Sequence, residues 1–124
     1  MRLAGHLDGT VAESFEALID GVWDGRVDTD LLERCRRRVC DLIGAPGDAG
    51  QHRSAPEPVG PPDERAAACL AFAEMWVIDP HAVTDEAAAA VRSHLSDREA
   101  AAFTIGLATI EAQARIATAL GGVA

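Results

Sequence analysis

Lysine, tyrosine and asparagine are all missing from this 124-residue chain. That removes a Schiff-base amine and a phenolic acid, so acid–base work falls to Asp, Glu, His or Cys. The three cysteines, Cys35, Cys40 and Cys69, show no C-x-x-C spacing. Cys35 and Cys40 lie five apart, about 500° around a helix, and cannot pair without unwinding it. They read as buried thiols packing as small hydrophobes. Arg34, Arg36, Arg37 and Arg38 form a run in which one guanidinium can hold a substrate carboxylate or serve a salt-bridged helix face. Asp48 and His52 make a D-x-x-x-H pair. Two ligands make no metal site on their own, and no metal is expected.

The elements that must position these groups read as helices. Thr10 and Glu13 form a capping-box pattern ahead of Val11, Phe15, Leu18, Ile19 and Val22, which share a face up to Trp23. A second helix runs from about Asp28 to Ile43. Leu32, Cys35, Val39, Leu42 and Ile43 form its stripe, with pairs Asp30–Arg34 and Glu33–Arg37 and a stop at Gly44. Residues 44–62 carry nine Gly and Pro and read as a long loop. A third helix spans about Pro62–Ile78 and a fourth begins at Thr84. Ser96 to Glu99 is a second capping box, opening a long helix with Ala101, Ile105, Ala108, Ala112, Ile116 and Leu120 on or near one stripe before Gly121 and Gly122. No segment reads as a strand. The expectation is a single all-α domain over residues 1–124, of five or six helices.

Composition narrows the partners. A net charge of −9 argues against nucleic acid and anionic membranes. No apolar run reaches transmembrane length, and Asp8, Glu13 and Glu16 interrupt any signal-like stretch after Met1, so a cytoplasmic address is expected. Few aromatics and much alanine in a small chain favour burying further surface against other subunits.

The helix Glu64-Arg65-Ala66-Ala67-Ala68-Cys69-Leu70-Ala71-Phe72-Ala73-Glu74 and the turn Asp79-Pro80-His81-Ala82-Val83-Thr84-Asp85-Glu86 resemble the carboxymuconolactone decarboxylase and alkyl hydroperoxidase D-like family. Leu95-Ser96-Asp97 and Arg115 through Gly121 are also similar to it, and the first half matches more loosely around Trp23-Asp24-Gly25 and Leu32–Leu42. The resemblance implies the alkyl hydroperoxidase D-like arrangement and a homo-oligomer, a trimer or hexamer. The family's redox branch places C-x-x-C twelve residues after a helical Glu, and a His four beyond it. Carried over from Glu33, the cysteine positions hold Ala45 and Asp48, and the His position holds His52. The Asn-Arg pair near the end is Ala114-Arg115 here.

The resemblance therefore implies chemistry without sulfur. Glu33 can orient His52 as a base, with Arg37, Arg115 or His81 contributing to a small organic acid's site. Glu74 is expected to pair with an arginine such as Arg115. Three functions follow: a cofactor-independent decarboxylase, lyase or isomerase; a degenerate, non-catalytic binding or assembly subunit, alongside an active paralogous subunit; or a residual thiol peroxidase. No cofactor is implied.

Overall fold

A computed structural model describes residues 9–121. Residues 1–8 and 122–124, Asp8 and Gly122 among them, lie outside the described residues. Among the described residues five α-helices follow one another: α1 (Gly9–Val22), α2 (Thr29–Ile43), α3 (Glu64–Ile78), α4 (Asp85–His94) and α5 (Asp97–Ala119), with a 3₁₀ turn at Pro80–Ala82. The described residues contain no strand, so the chain is all-α. None of these helices is long and apolar enough to cross a membrane.

Short polar side chains start most of the helices. Asp28 accepts from the Asp30 amide at the head of α2, Asp63 from Ala66 in α3, and Thr84 from Ala87 in α4. At α5 both halves of the capping box form. Ser96 Oγ accepts from the Glu99 amide at 3.1 Å, and Glu99 Oε1 accepts from the Ser96 amide at 2.9 Å. α1 begins at Gly9, which places Thr10 within its first turn and not at the expected N-cap position. α2 ends at Gly44, whose φ of +78° is left-handed backbone that a side chain would strain.

α2 is the central element and packs against both α3 and α5. Leu31, Leu32, Cys35 and Val39 from α2 meet Cys69 and Ala73 of α3, and Phe103, Leu107 and Ile110 of α5, in one core. Gly106 lets α5 come close to its neighbours. A Cβ there would stand 3.2 Å from Val22 Cγ1 and 3.3 Å from Leu32 Cδ2.

Two expected stripes are corrected by the packing. α1 turns Phe15, Ile19 and Val22 inward but leaves Val11 and Leu18 exposed. On α5 the stripe Ala101, Ile105, Ala108, Ala112 and Ile116 faces outward, while Phe103, Gly106, Leu107, Ile110, Gln113, Ala114 and Ala117 face the core. α5 is apolar on both sides, so periodicity alone cannot say which side is buried. The bulkier Phe103–Leu107–Ile110 stripe fills the space under α2 and takes the inside.

Phe103 has no solvent exposure. Replacing it with alanine is expected to cost about 3–5 kcal/mol of stability, read as a lowered urea midpoint. A loss below about 1 kcal/mol would mean that the core closes over the gap.

Candidate functional site

The residues singled out by the sequence gather around α2 and the loop that follows it. Glu33 is 1% exposed, and Arg36 is 2% exposed. Arg36 Nε donates to Glu33 Oε1 at 2.7 Å and Arg36 Nη2 donates to Oε2 at 2.8 Å, a two-pronged contact between helical neighbours. Arg37 Nε adds a third bond to Oε2 at 2.7 Å. Burial pushes the Glu33 carboxyl up, but the hydrogen bonds and charges of Arg36 and Arg37 outweigh it and hold the group below its ordinary range.

The arginine run reaches from α2 into the loop. Arg36 Nη1 donates to the Gly47 carbonyl at 2.7 Å and the Ala49 carbonyl at 3.0 Å. Arg34 pairs with Asp30 at 2.9 Å and also donates to the carbonyls of Val59 and Gly60. Arg37 spans from Glu33 to Glu57, at 2.9 Å. Arg38 turns the other way and pairs with Glu74 on α3 at 3.4 Å. Residues 44–62 thus hold their course with turns but no helix, tied at three points to one face of α2.

His52 is carried by this loop to α1. Its Nε2 lies 2.7 Å from Asp20 Oδ1, and its Nδ1 accepts the Ser54 amide at 3.1 Å. An Nδ1 that accepts leaves the proton on Nε2, so His52 donates to Asp20 as the neutral ring. The His52 hydrogen bond, joined by Arg53, draws the Asp20 carboxyl below its usual range. The ring lies parallel to Trp23, 5.8 Å between centroids and 4° between planes.

The structure does not bring Glu33 and His52 together as an acid–base pair. Glu33 is filled by two guanidiniums, His52 by Asp20 and a backbone amide, and no hydrogen bond or ion pair joins them. Arg37 is taken up by two carboxylates instead of standing open for a substrate. Arg115 donates to the Val77 carbonyl and to Glu111, both at 3.0 Å, and not to Glu74. His81 sits exposed on the 3₁₀ turn, where its backbone amide bonds the Asp79 side chain at 3.0 Å.

Asp20 is not among the residues singled out from the sequence, Trp23 stands there without a site role, and Arg36 only as one member of the arginine run. Arg36 was legible in part, three residues after Glu33 and therefore on its face. Asp20 and Trp23 are more than 25 residues from His52, and only the loop's path joins them.

The thiols are equally closed. Cys35, Cys40 and Cys69 are free and buried. Burial pushes all three upward, Cys69 to about 11, against thiolate formation. Among the described residues, no three His, Cys, Asp or Glu side chains converge as metal ligands. Set against protein-family models, curated proteins and solved structures, the chain matches none.

Two predictions follow from this geometry. Glu33→Gln leaves the Arg36 charge buried without its carboxylate, at an expected cost of about 3–5 kcal/mol near neutral pH. A carboxyl held below its unfolded value stabilises the fold above that value and loses the effect as pH falls through the folded one. The gap between wild type and variant, followed by urea unfolding, should therefore narrow below about pH 4.3. A gap that stays constant down to acid unfolding would mean that the Glu33 charge is not what matters. Separately, iodoacetamide should label none of the three thiols in the native protein and all three after denaturation, as read by mass spectrometry. Rapid native labelling would show a reactive cysteine.

Proposed function

We propose that this protein is a non-catalytic assembly subunit that packs against a second copy of itself through the outer face of α5 and α1. The observation that carries this is the outward stripe of α5. Ala101, Ile105, Ala108, Ala112 and Ile116 run along that helix in apolar succession, on the side opposite the core. A helix that is apolar on both faces belongs in an interior, and one chain supplies only half of that interior.

α1 extends the same face. Only Val22 of its residues is fully buried, and Leu18 is 49% exposed beside Ile105 at 56%. Ala17, Gly21 and Ala102 form a notch of about 310 Å³ between these two projecting side chains. A projection next to a notch on one surface is self-complementary, which is what a two-fold contact requires. Arg26, paired with Asp24 at 3.0 Å, edges the notch.

The saturated partners of Glu33 and His52 favour this reading over an acid–base enzyme. A general base needs a lone pair within reach of a substrate, and neither residue keeps one beside a cavity. The high thiols likewise argue against a peroxidase. The resemblance to carboxymuconolactone decarboxylase-like proteins points to a cyclic homo-oligomer, and descent from that family belongs to the proposal, as does a cytoplasmic address for three free thiols.

Light scattering coupled to size exclusion, across a dilution series, tests the proposal. The expected wild-type mass is a multiple of 13.0 kDa. Ile105→Glu should return it to 13.0 kDa with helicity unchanged, because an exposed substitution costs the monomer only about 0.5 kcal/mol. A wild type at 13.0 kDa throughout would refute self-association. An Ile105→Glu variant that still assembles would refute the α5 face.

A further inference from the structure

A second cavity lies away from the arginine network, where α3, α4 and α5 meet. It holds about 240 Å³ and is lined by Phe72 of α3, Ala88, Val91 and Arg92 of α4, and Ala100, Ala101, Phe103 and Thr104 of α5. Its floor is the partly exposed Phe72, held against the fully buried Phe103 with the two rings 6.2 Å apart and inclined at 59°. Its walls are methyl groups, and no carboxylate lines it.

Arg92 is the one charged group at this cavity. All four arginines on α2 are spoken for by carboxylates or carbonyls, whereas no hydrogen bond or ion pair engages Arg92 among the described residues. A free guanidinium beside an apolar hollow offers two parallel donors to a carboxylate whose body sits in the hollow. Thr104 Oγ1 already donates to the Ala100 carbonyl at 2.8 Å, so toward the cavity it can only accept.

We infer that this hollow binds a small aromatic monocarboxylate, with Arg92 as its anion anchor. Size selects a small ligand, since drug-sized molecules occupy cavities of about 300–1,000 Å³. The partly exposed Phe72 ring, backed by the buried Phe103, selects an aromatic body, which can lie offset or edge-on against it. The lone cation selects a single negative charge. All the lining residues come from one chain, and Ala101 alone is shared with the α5 face proposed for a second copy, so binding is measured in the wild type and in Ile105→Glu.

The test is titration of ¹⁵N-labelled protein with benzoate, and with benzyl alcohol as its uncharged counterpart, followed by amide chemical shifts. Benzoate should move the resonances of Val91, Arg92 and Ala100–Thr104 saturably. Benzyl alcohol should bind about tenfold more weakly, the value of one charge-assisted contact at a surface. Arg92→Gln, an exposed change that leaves the core intact, should remove the difference between the two probes. Ile105→Glu should keep benzoate binding even where it dissolves an assembly. The inference is overturned if benzoate gives no saturable shifts at these residues, or if the two probes bind alike to the wild type. It is equally overturned if Arg92→Gln leaves the preference standing, or if Ile105→Glu alone abolishes binding, which would assign the ligand to a subunit interface.

Discussion

A carboxylate at position 33, deep against the core and almost without exposure, sets the terms for much of this molecule. A buried charge is tolerated only when it is paired and its remaining hydrogen-bonding capacity is filled. Arg36 supplies the pair, but it brings its own unfilled N–H groups into the interior. The carbonyls of Gly47 and Ala49 take these up, and they lie in the Pro/Gly-rich segment. The loop is therefore part of the solution to the Glu33 charge. A chain section with few apolar side chains of its own is fixed by polar contacts to the helix before it.

That arrangement carries the rest of the loop along. Once Gly47 and Ala49 are fastened, Gly50 runs close to α5, where a Cβ would come within 3.1 Å of Gln113 Oε1. Its φ of +74° needs a glycine for a second reason. The chain then delivers His52 to Asp20 and Trp23, joining α1 to α2 through a ring stack and one hydrogen bond. Glu33 and His52, the two groups that acid–base work would need, each hold protein partners and tie neighbouring segments together.

The two apolar features on the outside have a different origin. α5 is built largely of alanine with a few branched residues, and its outward side mixes apolar positions with the Glu111–Arg115 pair and a few threonines. One face closes the core, and the other is left as a surface that water solvates poorly. The same helix also supplies Phe103 and Thr104 to the hollow against α3 and α4, where the short side chains of Ala88 and Ala100 leave space that larger residues would fill. Small residues thus give close packing inside and concave surfaces outside.

Much of the fold was legible in the sequence by itself. The all-helical class, the bounds of α2 through α5 to within a residue or two, the helix start at Thr84, the capping box at Ser96, and the Asp30–Arg34 and Glu33–Arg37 pairs all follow from local rules. Those rules act over one turn of helix, which is the range that spacing encodes. The candidate site was legible only in its members on α2. Tertiary structure decided that Arg36 goes inward and Arg37 outward, that His52 meets Asp20 and not Glu33, and that Ile105 faces water while Phe103 faces the core. Each of these depends on where a loop crosses or which of two similar faces finds the better-shaped neighbour. Long-range complementarity of shape and charge settles such questions, and residue order does not record it.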